Sequence, residues 1–206
     1  MASQEMRLER DSMGELEVPA NAYYGGNTRR AELNFPISNL RLGRSFVKAI
    51  GQIKQSAAVV NLDLEAIDRD IADAIIAAAQ RVIDGEFDDQ FVVDVFQTGS
   101  GTSTNMNANE VISNVAIESL GGELGSRDPV HPNDHVNKGQ SSNDVIPTTI
   151  HLAAAGAIHD NLIPALKVLE DSLRAKSEEF WDVVKTGRTH LQDATPIRLG
   201  QQFLGY

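Results

Sequence analysis

The chain has 206 residues, enough for one large domain or for one domain and part of another, and its 41% hydrophobic and 23% charged residues exclude a wholly disordered protein. Its 18 Lys and Arg residues against 29 Asp and Glu residues give a net charge of -11 at pH 7, which disfavours nucleic acid and anionic membranes as partners. The absence of Cys excludes a disulfide framework, a thiolate metal site and a cysteine nucleophile.

The N-terminal sequence MASQEMRLERDSMG carries no apolar stretch of the kind that signal peptides contain. No apolar run elsewhere approaches the ~20 residues that a membrane-spanning helix needs. We therefore expect a cytoplasmic protein with no membrane contact.

The first forty residues place Gly, Pro and Asn close together in VPANAYYGG and NFPIS, and this pattern predicts extended and turning chain. Apolar residues then recur at steps of three and four from about Leu42, which predicts a core-facing helix as far as Leu64. A second helix is predicted from about Leu64 to Val82, where the turn-forming residues DGEFDDQ follow.

Two further helices are predicted downstream, from Asn107 to Leu120 and from Pro147 to about Phe180. Pro164 should bend the helix that begins at Pro147, because proline removes one backbone hydrogen bond. We expect this long helix to be buried in a bundle or an oligomer interface. Another helix should begin near Pro196. No alternating run indicates a strand, so the predicted fold class is mainly α.

Three polar clusters each precede a predicted helix: QTGSGTSTNMN at residues 97–107, QSSND at 140–144 and GRTHLQDATPIRLGQ at 187–201. Free N–H groups at helix N-termini attract anions, and neighbouring hydroxyl and amide groups add donors. The clusters therefore predict a site for a small dianionic ligand that is held without a group of lysines. The alternatives are a glycine turn with a helix cap for the first cluster and capping residues alone for Ser141 to Asp144.

Histidines provide the candidates for proton transfer and metal binding. His190 follows Thr189 in a polar loop, and an imidazole is the usual proton carrier near neutral pH, although a lone histidine can equally be a satisfied, partly buried side chain. His131 and His135 flank Asp134 in HPNDH, but no further ligands with zinc spacing accompany them. We predict no metal site.

The chain resembles the class II fumarases of the fumarase/aspartase superfamily over essentially its whole length. The motifs ERDSMGELEVPANAYYG, DDQFVVDVFQTGSGTSTNMNANEV, HPNDHVNKGQSSNDVIPT and VVKTGRTHLQDATPIRLGQ follow one another in the order of the family. Aspartases usually read NPNDH, QSTND and GRTQ, whereas this chain has His131, Ser142 and His190 at the distinguishing positions. Gly139 stands where the family often has Ser, and Gln202 stands where LGQE is common.

This resemblance implies the fold, the reaction and the site residues. The reaction would be the reversible hydration of fumarate to (S)-malate in the tricarboxylic acid cycle, without a metal or organic cofactor. His190 would be catalytic, and the substrate would contact Ser100, Gly101, Thr102, Ser141, Ser142, Asn143 and Thr189. A secondary carboxylate site would comprise His131, Pro132, Asn133 and Asp134.

The resemblance further implies an N-terminal lyase domain at residues 1–139 and the beginning of a central helical-bundle domain at 140–206. Chains of the family are more than twice as long, form homotetramers and carry a third signature, GSSxMPGKVNP, that this sequence lacks. We therefore expect an N-terminal fragment that is inactive alone. The alternatives are an aspartase-like or other fumarate-releasing lyase and a non-catalytic assembly fragment.

Overall fold

A computed structural model describes residues 5–11 and 13–206 of the chain. One compact unit ends at Ala154, and a second runs over Ala155–Tyr206. The predicted boundary between residues 139 and 140 stays a prediction. Helices dominate both units, which confirms the mainly α fold class. No helix in the described part of the chain is both long enough and apolar enough to cross a membrane.

The N-terminal segment is more regular than its sequence suggested. Strands β1 (Met6–Asp11) and β2 (Gly14–Pro19) form an antiparallel hairpin, and helix α1 spans Gly26–Asn34. The expectation that no strand occurs was therefore wrong. The hairpin and the chain after it are joined by Arg7, whose guanidinium donates to the carbonyl oxygens of Pro19, Ala20, Ala22 and Tyr24.

Three helices form the core of the first unit: α2 (Arg44–Asp63), α3 (Arg69–Asp84) and α4 (Thr102–Ser119). The prediction of α2 is confirmed, and α3 is present but begins at Arg69 and not at the predicted Leu64, because residues 64–68 form a turn. Helix α4 begins at Thr102 and not at the predicted Asn107, because Thr104 and Asn105 in its first turns are buried and hydrogen-bonded, which overcomes their weak helix propensity. The buried apolar side chains at the centre of the core include Ile50, Ile75, Val82, Val111, Ile112 and Val115.

The long helix predicted from Pro147 to Phe180 is divided into α5 (Ser142–Ala157), a π-helical turn (Ile158–Leu162) and α6 (Ile163–Glu179). The π-helical turn comes directly before Pro164, which has no N–H to donate to the carbonyl of Asp160. The regular α-helix is thus interrupted where the proline predicts a disturbance. Helix α6 leaves several large apolar side chains about half exposed, among them Ile163, Leu166 and Leu169.

The end of the chain is a second hairpin, with β3 (Val184–Thr189) antiparallel to β4 (Gln192–Arg198), followed by α7 (Leu199–Gly205). The helix predicted to begin near Pro196 is present but begins later, at Leu199, because Pro196 lies within β4. His190 and Leu191 have φ values of 50° and 61°, which close a two-residue turn between Thr189 and Gln192. The third polar cluster therefore lies mostly in a hairpin, which leads directly into α7.

Candidate functional site

Two of the polar clusters face the same open cleft, which has a volume of about 770 Å³ and lies in the first unit. Its polar wall includes Ser100, Gly101 and Asn143, so the structure brings the first and second predicted loops together. Its apolar wall comes from three regions of the chain and includes Leu42, Phe46, Phe96, Ile146, Pro147 and Ile150. Among the described residues, none of those that line the cleft is a Lys or an Arg.

The first loop leads directly into α4. Gly101 is the residue before the helix and has a left-handed backbone with φ 69°, and a Cβ atom there would lie 3.0 Å from a side-chain carbon of Ile146. Only glycine allows both this conformation and this close approach. The hydroxyl groups of Ser100 and Thr102 lie 2.9 Å apart, at the exposed start of α4. The contact with Ile146 on α5 fixes the first loop against the second.

The second loop begins α5, and its three residues have different roles. The carbonyl of Ser141 accepts the N–H groups of Asp144 and Val145 at 3.0 and 2.9 Å, and its Oγ accepts the N–H of Asn143 at 3.2 Å. Ser141 therefore acts as a helix cap, as one of the alternatives supposed. Ser142 Oγ instead accepts a hydrogen bond from Asn105 Nδ2 at 2.9 Å. Asn143 lines the cleft.

A buried lysine behind the second loop was missed by the sequence analysis. Lys54 on α2 is 0% exposed, and its Nζ donates to Asn137 Oδ1 and Gln140 Oε1, each at 2.9 Å. Burial lowers the pKa of Lys54 from 10.5 to about 7. The sequence does contain a sign of this burial. Lys54 lies four residues after Ile50 and four residues before Ala58, both of which are buried, so this spacing places Lys54 on the core-facing side of the helix.

The free energy of unfolding should rise between about pH 7 and pH 10.5 through the contribution of Lys54, whose pKa falls from 10.5 to about 7 on folding. In this window the unfolded chain retains a proton that the folded chain has released, so higher pH favours folding. Urea unfolding at several pH values, compared between the wild type and Lys54→Met, measures this contribution. The variant should show a smaller rise with pH, and identical pH dependences would contradict the expectation.

The predicted secondary carboxylate site forms a π-helical turn, Pro132–Val136, preceded by His131. The Nδ1 atom of His131 lies 3.3 and 3.2 Å from the backbone nitrogens of Asn133 and Asp134 and 3.2 Å from Asp134 Oδ2. Burial lowers the pKa of His135, whose Nδ1 accepts the N–H of His131 at 2.9 Å. The four predicted residues are contiguous in this turn, and their binding role stays a prediction.

The remaining predicted residues, Thr189 and His190, lie at the turn of the β3–β4 hairpin in the second unit. Both side chains are exposed. Among the described residues, none forms a hydrogen bond or ion pair with the His190 ring, which leaves both ring nitrogens free for proton transfer. The catalytic role of His190 stays a prediction.

Comparison with known proteins gives consistent matches. Residues 14–206 match the sequence profile of a family described as Lyase. The chain is 61% identical over 204 residues to the class II fumarate hydratase of Halobacterium salinarum, covering 99% of this chain and 43% of the relative. It is 56% identical over 209 residues to the mitochondrial fumarate hydratase of Homo sapiens, covering 100% and 41%. The chain thus spans less than half the length of these relatives.

Solved structures give the same result. A recombinant class II fumarase from Schistosoma mansoni superposes with a TM-score of 0.91 at 42% identity, covering 98% of this chain and 42% of that one. A protein from Brucella melitensis described as fumarate lyase:delta crystallin superposes with a TM-score of 0.93 at 46% identity, covering 98% and 47%. At these identities the similarity extends to sequence as well as fold.

Proposed function

The chain belongs to the Lyase family, whose profile it matches over residues 14–206, and on that premise we propose that it forms the N-terminal part of a class II fumarate hydratase. The proposed reaction is the reversible hydration of fumarate to (S)-malate in the tricarboxylic acid cycle. The proposed location is the cytoplasm. No metal or organic cofactor takes part in this proposal.

The observation that carries the proposal is the convergence of Ser100, Gly101 and Asn143 on one cleft with an apolar wall. A dicarboxylate has two charged ends and a short hydrocarbon centre, which match neutral donors and apolar side chains. Hydration also develops negative charge on a carboxylate beside the reacting carbon. Preorganised donors that face this charge stabilise the transition state.

The proposed donors and proton carrier are those that the sequence predicts. The two loops of the first unit would bind a substrate carboxylate. By the resemblance, Thr189 would contact substrate and His190 would transfer a proton at the hydroxyl end through a water molecule. The group that removes the carbon proton would lie in the part of the relatives that this chain does not span. A homotetramer is the proposed assembly, and the exposed apolar side chains of α6 support self-association.

The test uses a completed chain, in which residues 1–206 are joined to the segment that follows the matched region in the Halobacterium salinarum relative. We expect this protein to hydrate fumarate in the presence of a chelator, as followed by the absorbance of fumarate. Activity that disappears with chelator and returns with zinc or iron would contradict the cofactor-free proposal. Addition of ammonia instead of water to fumarate would indicate an aspartase-like lyase.

The matched control is the 206-residue chain itself, purified and checked by mass spectrometry for host enzyme. We expect it to show no turnover, which is the behaviour of a non-catalytic fragment. Turnover close to that of the completed chain would contradict this expectation.

A further inference from the structure

A buried chain of hydrogen bonds connects Lys54 to the second loop. Asn137 Oδ1 accepts from Lys54 Nζ at 2.9 Å and from Asn105 Nδ2 at 3.2 Å, and the same Asn105 Nδ2 donates to Ser142 Oγ at 2.9 Å. Lys54 and Asn105 are 0% and 1% exposed. The network therefore runs through the protein interior and ends at a hydroxyl beside the cleft.

The direction of these bonds is fixed by their surroundings. The two amides that contact Lys54 use their nitrogens elsewhere, because Asn137 Nδ2 donates to the carbonyl of Gln140 and Gln140 Nε2 donates to the carbonyl of Val136. Both amides thus present oxygen to Lys54, which supplies enough N–H groups for both in either protonation state. Asn105 in turn can contact Asn137 Oδ1 only through its nitrogen.

This direction determines what Ser142 can do. Both hydrogens of Asn105 Nδ2 are used, one on Asn137 and one on Ser142, while Asn105 Oδ1 is left buried without a partner. Leaving Asn105 Oδ1 buried without a partner costs free energy. The two hydrogen bonds of Asn105 Nδ2, to Asn137 and to Ser142, therefore hold the Asn105 amide in this orientation. Ser142 Oγ already accepts a hydrogen bond, and its own hydrogen has no acceptor among the described residues.

We propose that Lys54 is a positioning residue, which acts through Asn137 and Asn105 to keep the hydroxyl of Ser142, the residue before the cleft-lining Asn143, oriented as a donor toward a carboxylate bound at the second loop. This inference rests on the proposed function. It explains why the second loop would bind a ligand group that accepts a hydrogen bond. Because Asn105 Nδ2 occupies one lone pair of Ser142 Oγ, the Ser142 hydrogen points away from Asn105 and is available to an acceptor group such as a carboxylate.

Two variants of the completed chain test the proposal. Lys54→Met removes the donor but keeps the length of the side chain, and Asn105→Asp replaces a donor by an acceptor that would capture the Ser142 hydrogen. Each should raise KM for fumarate by about tenfold or more, the effect of losing a hydrogen bond to a charged group, with a smaller change in kcat. Asn105→Asp serves as the independent test if Lys54→Met does not fold.

The Ser142→Ala background separates positioning from general destabilisation. If Lys54 and Asn105 act through Ser142, neither variant should raise KM further once the hydroxyl is absent. If Lys54→Met or Asn105→Asp raises KM by the same factor in the Ser142→Ala background as in the wild type, the proposal is overturned.

The matched control is Asn114→Asp, which changes a buried asparagine of the same helix. Asn114 Nδ2 donates to the carbonyl of Tyr23, and Asn114 Oδ1 accepts the N–H of Gly125, each at 2.8 Å. Neither partner belongs to the network. Its thermal midpoint should fall while KM stays at the wild-type value, and a rise in KM equal to that of Asn105→Asp would overturn the proposal.

Neutron diffraction from the 206-residue chain tests the direction of the network without reference to activity. Deuterium on Asn105 should point to Asn137 and to Ser142, and the Ser142 deuterium should point away from Asn105. An Asn105 oxygen facing Ser142 would overturn the inference even in an active enzyme. An inactive completed wild type with the expected deuterium positions would instead count against the proposed function alone.

Discussion

Replacing His190 by Asn in the completed chain should lower kcat for fumarate hydration by about 10²–10⁴-fold, the usual contribution of a general acid–base group. His190 is the residue to which the sequence assigns proton transfer, because an imidazole is the usual proton carrier in general acid–base catalysis. Substrate binding should change less, because the loop donors stay in place. An unchanged kcat would remove His190 from the mechanism.

The backbone at His190 makes Asn the suitable replacement. His190 has φ 50° in the two-residue turn of the β3–β4 hairpin, and Asn tolerates this left-handed conformation better than most residues. The fold should therefore be retained, which circular dichroism can verify. His159→Asn is the matched control, since His159 is also an exposed histidine of the second unit and its Nδ1 lies 2.9 Å from Asp160 Oδ1. This control should keep the wild-type kcat.

Helices α2 and α3 could be predicted because each buries one face with a regular apolar spacing. Helix α2 places Val47, Ile50 and Ala58 on the core side at helical spacing, and α3 does the same with Ala72, Ile75 and Ala79. A periodic apolar stripe indicates which face of a helix is buried, even when the residues that pack against it are unknown. The loops could also be predicted, since hydroxyl, amide and glycine residues are concentrated at two helix starts.

The remaining features depend on contacts between residues distant in sequence. Strand β1 is stabilised by Arg7 and its carbonyl acceptors beyond β2, and its own residues, MRLERD, carry little apolar signal. Pro196 resembles a helix start, but pairing with Thr186 places it in a strand. Lys54 is buried because amides from the segment before α5 receive its hydrogen bonds. The periodicity of apolar residues in one sequence gives no information about these distant partners.

Glu110 is a further polar residue of the core, and it joins α4 to the start of α1. It is 3% exposed, and its carboxylate accepts the backbone N–H groups of Gly25, Asn27 and Thr28 at 2.9, 3.0 and 3.0 Å. Thr28 Oγ1 donates a further bond at 2.6 Å. A Cβ atom on Gly25 would lie 3.0 Å from Glu110 Cδ, so glycine is needed for this close approach. The negative charge also suits the N-terminus of a helix.

Glu110→Ala should lower the free energy of unfolding by on the order of 3 kcal/mol, because buried N–H groups at the start of α1 would lose their charged acceptor. Glu110→Gln should lower it by less, since one oxygen remains while the new NH₂ group faces other donors. Glu118→Ala is the matched control, because Glu118 is an exposed carboxylate of α4 that accepts from Tyr23 Oη. Urea unfolding of the 206-residue chain measures all three, and a Glu110→Ala stability equal to that of Glu118→Ala would show that α1 does not depend on this carboxylate.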